Sequence, residues 1–207
     1  MDGEEIDGVK LAEAALQDGL SPLDFFQEVI SPVVKEIGDQ FARLEIFLPE
    51  LMKAGVVVKA IQSEVLAPAI RKSGGDSGSA GTIVVGTSQG DIHDIGKNMV
   101  ALMLQVNAFQ VVDLGTNVSP SAFIDAAKRE NADIIAVSTL LTSSLPFNKD
   151  LIELLKGMGQ RERFAVVAGG AAVSKQWVEQ YGFDGYGGDA VEAVEVCGQI
   201  VQNRKGN

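Results

Sequence analysis

The loop that holds the only histidine of the chain is the segment best suited to metal chemistry. It reads GDIHDIG over residues 90–96 and follows a run rich in β-branched residues. In a tight loop Asp91 is close enough to accept one ring N–H of His93, which fixes the tautomer and makes the other nitrogen a better metal donor. Gly90 and Gly96 permit a sharp loop and the close approach of a bulky ligand. A single histidine excludes a multi-histidine zinc or iron site.

Two further loops carry small residues directly after predicted strands. Residues 136–144 read AVSTLLTSS, and neighbouring strands would place Ser138 beside Asp91. A His–Asp–Ser relay of this kind could adjust proton occupancy as a metal changes charge. Residues 167–172 read VAGGAA, a run with almost no side-chain volume that leaves room for a group inserted beside the sheet.

Each of these loops also has a purely structural interpretation, which its spacing alone leaves open. His93 could be an exposed loop histidine beside a helix-capping Asp94. The hydroxyl groups after residue 137 could simply solvate a turn, as Ser and Thr clusters often do. The pair Gly169 and Gly170 could serve a tight turn from strand to helix.

The elements that must position these loops alternate between strand and helix. Continuous apolar strands that alternate with helices predict a parallel sheet covered on both faces, a doubly wound Rossmann-like or flavodoxin-like α/β fold. Ligands on such sheets bind beyond the C-terminal ends of the strands, where the three loops lie. The predicted strands are residues 82–86, 110–114, 134–138, 164–168 and 182–186, and the predicted helices are residues 95–106, 120–130, 147–158, 175–181 and 189–202.

The first third of the chain predicts an N-terminal four-helix bundle. Ser21-Pro22 is a helix start signal, Ser31-Pro32 is expected to end one helix and begin another, and Pro49 opens a segment that runs to about residue 70. Residues 73–79 read SGGDSGS, a composition typical of a flexible linker. We therefore predict a helical domain over 1–72, a linker over 73–80 and an α/β domain over 81–207.

Composition excludes several classes of protein. The net charge of -11 argues against nucleic acid as a partner, because phosphate binding needs a basic surface. The acidic N-terminus has no apolar run, and no stretch approaches the roughly 18 to 20 apolar residues that span a bilayer, so we expect a cytoplasmic protein without a membrane partner. The one cysteine, Cys197, lies in an apolar helical pattern and is predicted to be a buried, unreactive thiol.

Together the three loops resemble one family, the cobalamin-binding corrinoid proteins of methyltransferase systems, similar to the cobalamin domain of methionine synthase. GDIHDIG at 90–96 matches the D-x-H-x-x-G signature of that family, Ser138-Thr139-Leu140 matches its S-x-L, and Gly169-Gly170 matches its final glycine pair. Order and spacing agree over roughly residues 82 to 200. The helical segment resembles the cap domain of the family, with FLPELM at 47–52 matching an F-x-P-E stretch.

The resemblance implies a site for cobalamin or a related corrinoid. His93 would replace dimethylbenzimidazole as the lower ligand of cobalt, with Asp91 and Ser138 behind it. The displaced nucleotide tail would lie in a slot lined by the S-x-L and glycine-pair positions, and Phe47 of the cap would shield the methyl face. The residues implied to surround the cofactor are Gly90, Asp91, Ile92, His93, Asp94, Gly96, Ser138, Leu140, Thr142, Gly169, Gly170, Asp189, Ala190 and Phe47.

The same resemblance implies a methyl carrier rather than an enzyme. Such a protein accepts a methyl group on Co(I) from a substrate-specific methyltransferase and donates it from methyl-Co(III) to a second methyltransferase. A reductive activase would be a further partner. The resemblance leaves the methyl donor and the final acceptor open, because their determinants lie on surfaces that meet a partner.

Four other classes of protein fit the sequence less well. The cobalamin-binding subunit of a mutase usually lacks a cap such as residues 21–70. A signalling receiver needs an aspartate where Ser138 stands and a lysine where the glycine pair stands. A flavodoxin needs aromatic residues near the strand-end loops, and a cobalamin-dependent regulator needs a DNA-binding segment.

Overall fold

The computed structural model describes residues 3–73, 80–107 and 109–205. It divides the chain into two compact units, Met1–Ser73 and Gly74–Asn207. Most of the predicted linker over 73–80 lies outside the described residues, so the linker stays a prediction. Within the described ranges, every helix lacks either the length or the apolar character of a membrane-spanning segment.

The first unit is helical. Its first helix, α1 (Gly3–Gln17), packs closely against α4 (Leu48–Ile61). A Cβ atom at Gly8 would lie only 2.8 Å from Val57 Cγ1, so no side chain fits there. Val58 and Ile61 of α4 are buried. The α-helices of this unit are α1 (Gly3–Gln17), α2 (Pro22–Asp24), α3 (Ser31–Ala42), α4 (Leu48–Ile61) and α5 (Ala67–Ser73), and its π-helical segments are Phe25–Ile30 and Gln62–Leu66.

The prediction that Ser31-Pro32 separates two helices is wrong. Helices α2 and α3 are joined without a break by the π-helical segment Phe25–Ile30. Ser31 keeps helical dihedral angles, and its N–H donates to the carbonyl of Phe26, five residues back. A proline lacks the N–H that an α-helix needs at its position, and the wider π-turn before Pro32 accommodates this loss while the chain stays helical.

The second unit contains a five-stranded parallel sheet in which the first strand of the chain lies between the second and the third, and the fourth and fifth strands follow the third in order. This arrangement confirms the predicted doubly wound α/β fold. The strands are β1 (Gly81–Thr87), β2 (Phe109–Asp113), β3 (Ile134–Ser138), β4 (Ala165–Gly169) and β5 (Gly185–Gly187). The helices are α6 (Ile95–Val106), α7 (Pro120–Arg129), α8 (Leu145–Gly157), α9 (Lys175–Tyr181) and α10 (Ala190–Lys205), with a 3-10 turn at Thr142–Ser144.

Alternate residues of the strands supply two hydrophobic cores, one on each face of the sheet. Val84, Ile135 and Val166 point to the face covered by α7, α8 and α9. Ile83 and Ile134 point to the opposite face, which α6 and α10 cover. Because both faces are buried, the strands read as continuous apolar runs rather than as alternating ones. Cys197 is buried in the second core, as predicted.

The last strand begins three residues later than predicted. Gly182 has a positive φ of 73° and ends α9 as its left-handed C-terminal residue. Residues 182–184 therefore belong to the exit from a helix, a role that glycine fills without steric cost. The short strand that follows, Gly185–Gly187, pairs with β4 at the edge of the sheet.

Candidate cofactor site

The register of the sheet brings the ends of four strands into one row. Thr87 pairs with Ser138, Ser138 with Gly169, and Gly169 with Gly187. The loops that follow β1, β3 and β4 therefore leave the sheet side by side at its C-terminal edge. These are the loops with the GDIHDIG segment, the S-x-L segment and the glycine pair, so the parallel register collects the predicted site residues of this unit at one edge.

Asp91 is the buried centre of the site. It is 0% exposed, although carboxylates are almost never fully buried without partners. Its Oδ2 accepts hydrogen bonds from the backbone N–H groups of Leu140 at 2.6 Å and Leu141 at 3.0 Å. Its Oδ1 accepts from the N–H of His93 at 3.0 Å and lies 2.7 Å from the Nδ1 of the same residue. The carboxylate thus joins the loop after β1 to the loop after β3.

These contacts keep Asp91 ionised. Burial alone would raise its pKa, but the hydrogen bonds from the backbone of His93 and Leu141, from the His93 ring and from Leu140 outweigh burial and lower the pKa below its ordinary value. Hydrogen bonds to the charged form of a buried carboxyl group have this effect. The imidazole of His93 therefore faces a carboxylate anion rather than a neutral acid.

One ring nitrogen of His93 could bind a metal. Its side chain is 50% exposed, and its Nδ1 faces Asp91. With the proton on Nδ1, the Nε2 lone pair is the free donor. The hydroxyl of Thr87, at the end of β1, donates to the carbonyl of His93 at 2.9 Å and so holds the backbone of this residue. Within the described residues, no three His, Cys, Asp or Glu side chains cluster in a way that could hold a metal ion.

The expected hydrogen bond between Ser138 and Asp91 is not present in the described part of the chain. Ser138 ends β3 and its carbonyl accepts the N–H of Ser88, but both oxygens of Asp91 already have other partners. The polypeptide turns immediately after β3, and this turn points the amides of Leu140 and Leu141 at the carboxylate. The His–Asp–Ser relay is therefore corrected to a His93–Asp91 pair held by two backbone amides.

Two exposed apolar residues lie in the loops that Asp91 joins, Ile92 directly before His93 and Leu140 after β3. Ile92 is 74% exposed and Leu140 is 43% exposed, although both are large hydrophobic side chains. Gly96, in the first turn of α6, is also exposed, and a side chain there would meet no atom within 4 Å. Exposed apolar side chains and open space in the loops that carry His93 and Leu140 suit a broad, largely apolar ligand.

The buried side chain of Ser144 lies next to Gly90, the first residue of the His93 loop. Gly90 has a positive φ of 81°, and a side chain there would lie 3.3 Å from the Oγ of Ser144. The Oγ of Ser144 and the Oδ1 of Asn148 are buried and have no hydrogen-bond partner among the described residues. Unpaired buried groups are costly, so such atoms commonly serve a ligand or an ordered water.

The glycine pair after β4 is required by the backbone itself. A Cβ at Gly169 would lie 2.3 Å from the carbonyl oxygen of Gly187, and a Cβ at Gly170 would lie 2.4 Å from that of Thr139. Gly170 also has a φ of +100°. The absence of side chains at these two positions allows the neighbouring strand ends to pack closely. This is the structural interpretation that the sequence left open.

The remaining predicted residues occupy different positions. Thr142 is exposed and begins the 3-10 turn after β3. Asp94 is the N-terminal boundary residue of α6, without a side-chain capping hydrogen bond. Asp189 accepts hydrogen bonds from the N–H groups of Val191 and Glu192 and so caps α10, whose first residue, Ala190, is buried.

Phe47 belongs to the helical unit. It precedes α4, its side chain is 66% exposed, and its N–H donates to Glu50 Oε2. This exposure suits the predicted shielding role, which stays a prediction.

Three residues that shape the site were missed in the sequence. They are Thr87, which holds the His93 carbonyl; Leu141, which donates its amide to Asp91; and Asn117, which contacts the backbone of the loop. A threonine at the end of an apolar strand carries a weak signal for Thr87. No signal identifies Leu141, because every residue except proline has a backbone N–H.

Comparisons with known proteins agree with this geometry. Residues 81–195 match a family model described as a B12 binding domain, and residues 1–66 match a second model with the same description. The chain is 36% identical to a corrinoid protein of Desulfitobacterium hafniense, over 97% of this chain and 93% of that protein. It is 39% identical to monomethylamine corrinoid protein 1 of Methanosarcina mazei, over 93% of this chain and 89% of that protein.

Solved structures extend the likeness to three dimensions. The monomethylamine corrinoid protein of Methanosarcina barkeri aligns with a TM-score of 0.86 and 34% identity, over 95% of this chain and 92% of that one. The methanol:cobalamin methyltransferase complex of the same organism contains a chain that aligns with a TM-score of 0.56 and 29% identity, over 97% of this chain and 75% of that one. The chain belongs to the B12-binding family of corrinoid proteins, and its cofactor is cobalamin or a related corrinoid.

Proposed function

We propose that this protein is a methyl carrier and that Nε2 of His93 would bind the cobalt of its corrinoid. The observation that carries the proposal is the His93–Asp91 pair, in which a fully buried carboxylate holds Nδ1 and leaves Nε2 free. The exposed side chains of Ile92 and Leu140 and the open space at Gly96 fit the broad apolar face of a corrin ring. The residues present therefore fit the cofactor.

The chain contributes orientation and control of one proton. Cobalt in a corrinoid can accept a methyl group and release it to another acceptor. Asp91 keeps the proton of the imidazole on Nδ1, and the amides of Leu140 and Leu141 keep Asp91 in place and ionised. The orientation of the ring is thus set before a ligand binds, which lowers the cost of forming the bond to cobalt.

The protein performs no methyl transfer without other proteins in this proposal. Its only histidine is committed to the cofactor, and burial raises the pKa of its only cysteine to about 12. Among the residues that the structure describes, no cluster of His, Cys, Asp or Glu side chains could hold a zinc ion that activates a thiol acceptor. The proposed partners are a substrate-specific methyltransferase, a second methyltransferase and a reductive activase, in the cytoplasm and without nucleic acid or a membrane.

Methylated amines are the proposed source of the methyl group. Relatives at 36% to 39% identity are named trimethylamine, dimethylamine and monomethylamine corrinoid proteins. A methylamine methyltransferase is therefore the first partner to test. Methanol is the second donor to test, because a solved methanol:cobalamin methyltransferase complex contains a similar chain.

The cobalt ligand can be tested by isotope labelling, because His93 is the only histidine. Untagged protein is prepared with ordinary histidine and with 15N-histidine, loaded with cobalamin, and reduced to Co(II). We expect the nitrogen splitting in the EPR spectrum to change from a triplet to a doublet on labelling. A nitrogen splitting that is the same with and without 15N-histidine would assign the ligand to dimethylbenzimidazole and overturn the proposal.

The carrier role is tested with holoprotein that a chemical reductant has reduced further, from Co(II) to Co(I). It is mixed with methylamines or methanol, with and without a candidate methyltransferase, and the absorption spectrum of the cofactor is followed. We expect methylation only when the second protein is present. Rapid methylation by a donor alone would identify the chain as an enzyme in its own right.

A further inference from the structure

The loop between β2 and α7 holds the His93 loop from outside the family motifs. Asn117, in that loop, has a positive φ of 55°, a conformation that few residues other than glycine adopt. Its side-chain Oδ1 accepts the N–H of Gly90 at 2.8 Å, and its own N–H donates to the carbonyl of Asp91 at 2.9 Å. One residue thus binds two successive residues of the loop.

The position of Asn117 is fixed by an extension of the sheet. Thr87 donates its N–H to the carbonyl of Gly115 and accepts the N–H of Val118 on its own carbonyl. Ser88 and Val118 form an isolated parallel bridge beyond the ends of β1 and β2. Because its neighbours are paired on both sides, Asn117 meets the loop at a defined place.

A second tie joins the same two segments further along. Lys97, in α6, has a buried side chain whose ammonium group binds Asp113, the last residue of β2, and Asn98. Asp113 also accepts the N–H of Gly115 at 2.8 Å. Both ends of the loop from Gly90 to Lys97 are therefore tied to residues 113–117.

We propose that Asn117 is a positioning residue for the cobalt ligand, acting on the backbone of Gly90 and Asp91. The direction of the Asp91 side chain depends on the path of the loop backbone. Asn117 binds this backbone at two points, the carbonyl of Asp91 through its own N–H and the N–H of the preceding residue, Gly90, through its side chain. Asp91 in turn orients the ring of His93. Loss of the Asn117 side chain should therefore reduce the fraction of cofactor that His93 ligates. This inference rests on the proposed function.

The variant Asn117→Gly isolates the side chain. Glycine adopts a positive φ without strain, so the backbone contact to Asp91 can persist while the acceptor for Gly90 is deleted. Asn117→Asp keeps an acceptor oxygen at the same place. The matched control is Asn131→Gly, because Asn131 is an exposed asparagine with a φ of +50° that lies between α7 and β3.

The readout is the ratio of His93-ligated to unligated Co(II) in the EPR spectrum of 15N-histidine-labelled holoprotein, with the thermal midpoint of the cofactor-free protein measured beside it. We expect Asn117→Gly to lower the ratio by about 10-fold or more, the lower end of the effect for groups that orient a metal ligand. Asn117→Asp should restore most of the ratio, and Asn131→Gly should leave it unchanged.

Three results would overturn the inference. They are an unchanged ratio in Asn117→Gly, an equal fall of the ratio in Asn131→Gly, and a ratio in Asn117→Asp as low as in Asn117→Gly. A wild-type spectrum without histidine splitting would instead refute the proposed function, so the two failures are distinguishable.

Discussion

The Oδ1 of Asp91 lies 2.7 Å from the Nδ1 of His93, while the other carboxylate oxygen is held by two backbone amides of the neighbouring loop. A half-exposed imidazole is thereby tied to a completely buried anion. The imidazole can contact a ligand at the surface, while the buried carboxylate of Asp91 sets its tautomer and orientation.

Replacing the buried carboxylate should loosen the metal ligand. Asp91→Asn replaces one carboxylate oxygen with an NH2 group, which is a donor. Either the two backbone N–H groups of the neighbouring loop or the His93 ring then loses its acceptor. We expect the ratio of ligated to unligated cobalt to fall roughly 10- to 100-fold. Asp133→Asn is the matched control. Asp133 also accepts a backbone N–H, that of Thr82, but it lies at the N-terminal ends of the strands, away from the His93 loop. Equal ratios in the two variants would reduce Asp91 to a structural residue.

Acid should remove the contribution of Asp91 to stability. The folded protein holds the pKa of Asp91 below the ordinary value of about 4, so the unfolded chain binds the proton first as the pH falls. The stabilisation is therefore complete above the ordinary pKa and is lost as the pH falls through the folded pKa. The free energy of unfolding of cofactor-free wild type minus that of Asp91→Asn should stay constant near neutral pH and shrink in acid. A difference that grows in acid would contradict this account.

Ser138→Ala should separate binding of the cofactor from control of its ligand. Asp91 has partners for both oxygens without the Ser138 hydroxyl. We expect the ratio of ligated cobalt to stay near the wild-type value, while affinity for the corrinoid falls roughly 2- to 10-fold for one lost hydrogen bond. Titration of cofactor-free protein measures the affinity. A loss of histidine ligation as large as in Asp91→Asn would reinstate the relay through Ser138.

Gly96→Ala should stabilise the protein and weaken cofactor binding. Alanine is favoured over glycine inside a helix by up to about 1 kcal/mol, and a methyl group at Gly96 meets no protein atom within 4 Å. The thermal midpoint of the cofactor-free protein should rise, but the methyl group should hinder the corrin. Gly157→Ala, at the end of α8, has the same open surroundings and should leave binding unchanged. Equal cofactor affinity in both variants would show that no ligand approaches Gly96.

Cys197 should resist thiol reagents in the folded protein. Its side chain is buried in the core beneath α10, and burial raises its pKa to about 12. At about pH 8 neither access nor thiolate supports reaction. We expect a thiol-specific reagent to label the native protein only slowly and the denatured protein at once, with Cys197→Ser as the unlabelled control. Rapid labelling of native protein would place the thiol at the surface.

The order of strands and helices was predictable because both faces of the sheet are covered. Strands buried on both faces have continuous apolar runs, such as residues 82–86, and these runs can be recognised in the sequence. The ends of elements were less predictable. Pro32 follows a π-turn instead of breaking the helix, and Gly182 ends α9 instead of beginning a strand. Both outcomes depend on local hydrogen bonds that residue types alone do not specify.

The sequence by itself determined which side chains can do chemistry. One histidine, an aspartate two residues before it and glycines on either side define the candidate ligand and its loop. Only the tertiary structure decided what stands behind Asp91, because the parallel register puts the end of β3 beside the end of β1. The donors there are the backbone amides of Leu140 and Leu141. Asn117, from the loop between β2 and α7, accepts the N–H of Gly90. Backbone amides occur at nearly every position, so only the folded chain determines which of them meet a carboxylate.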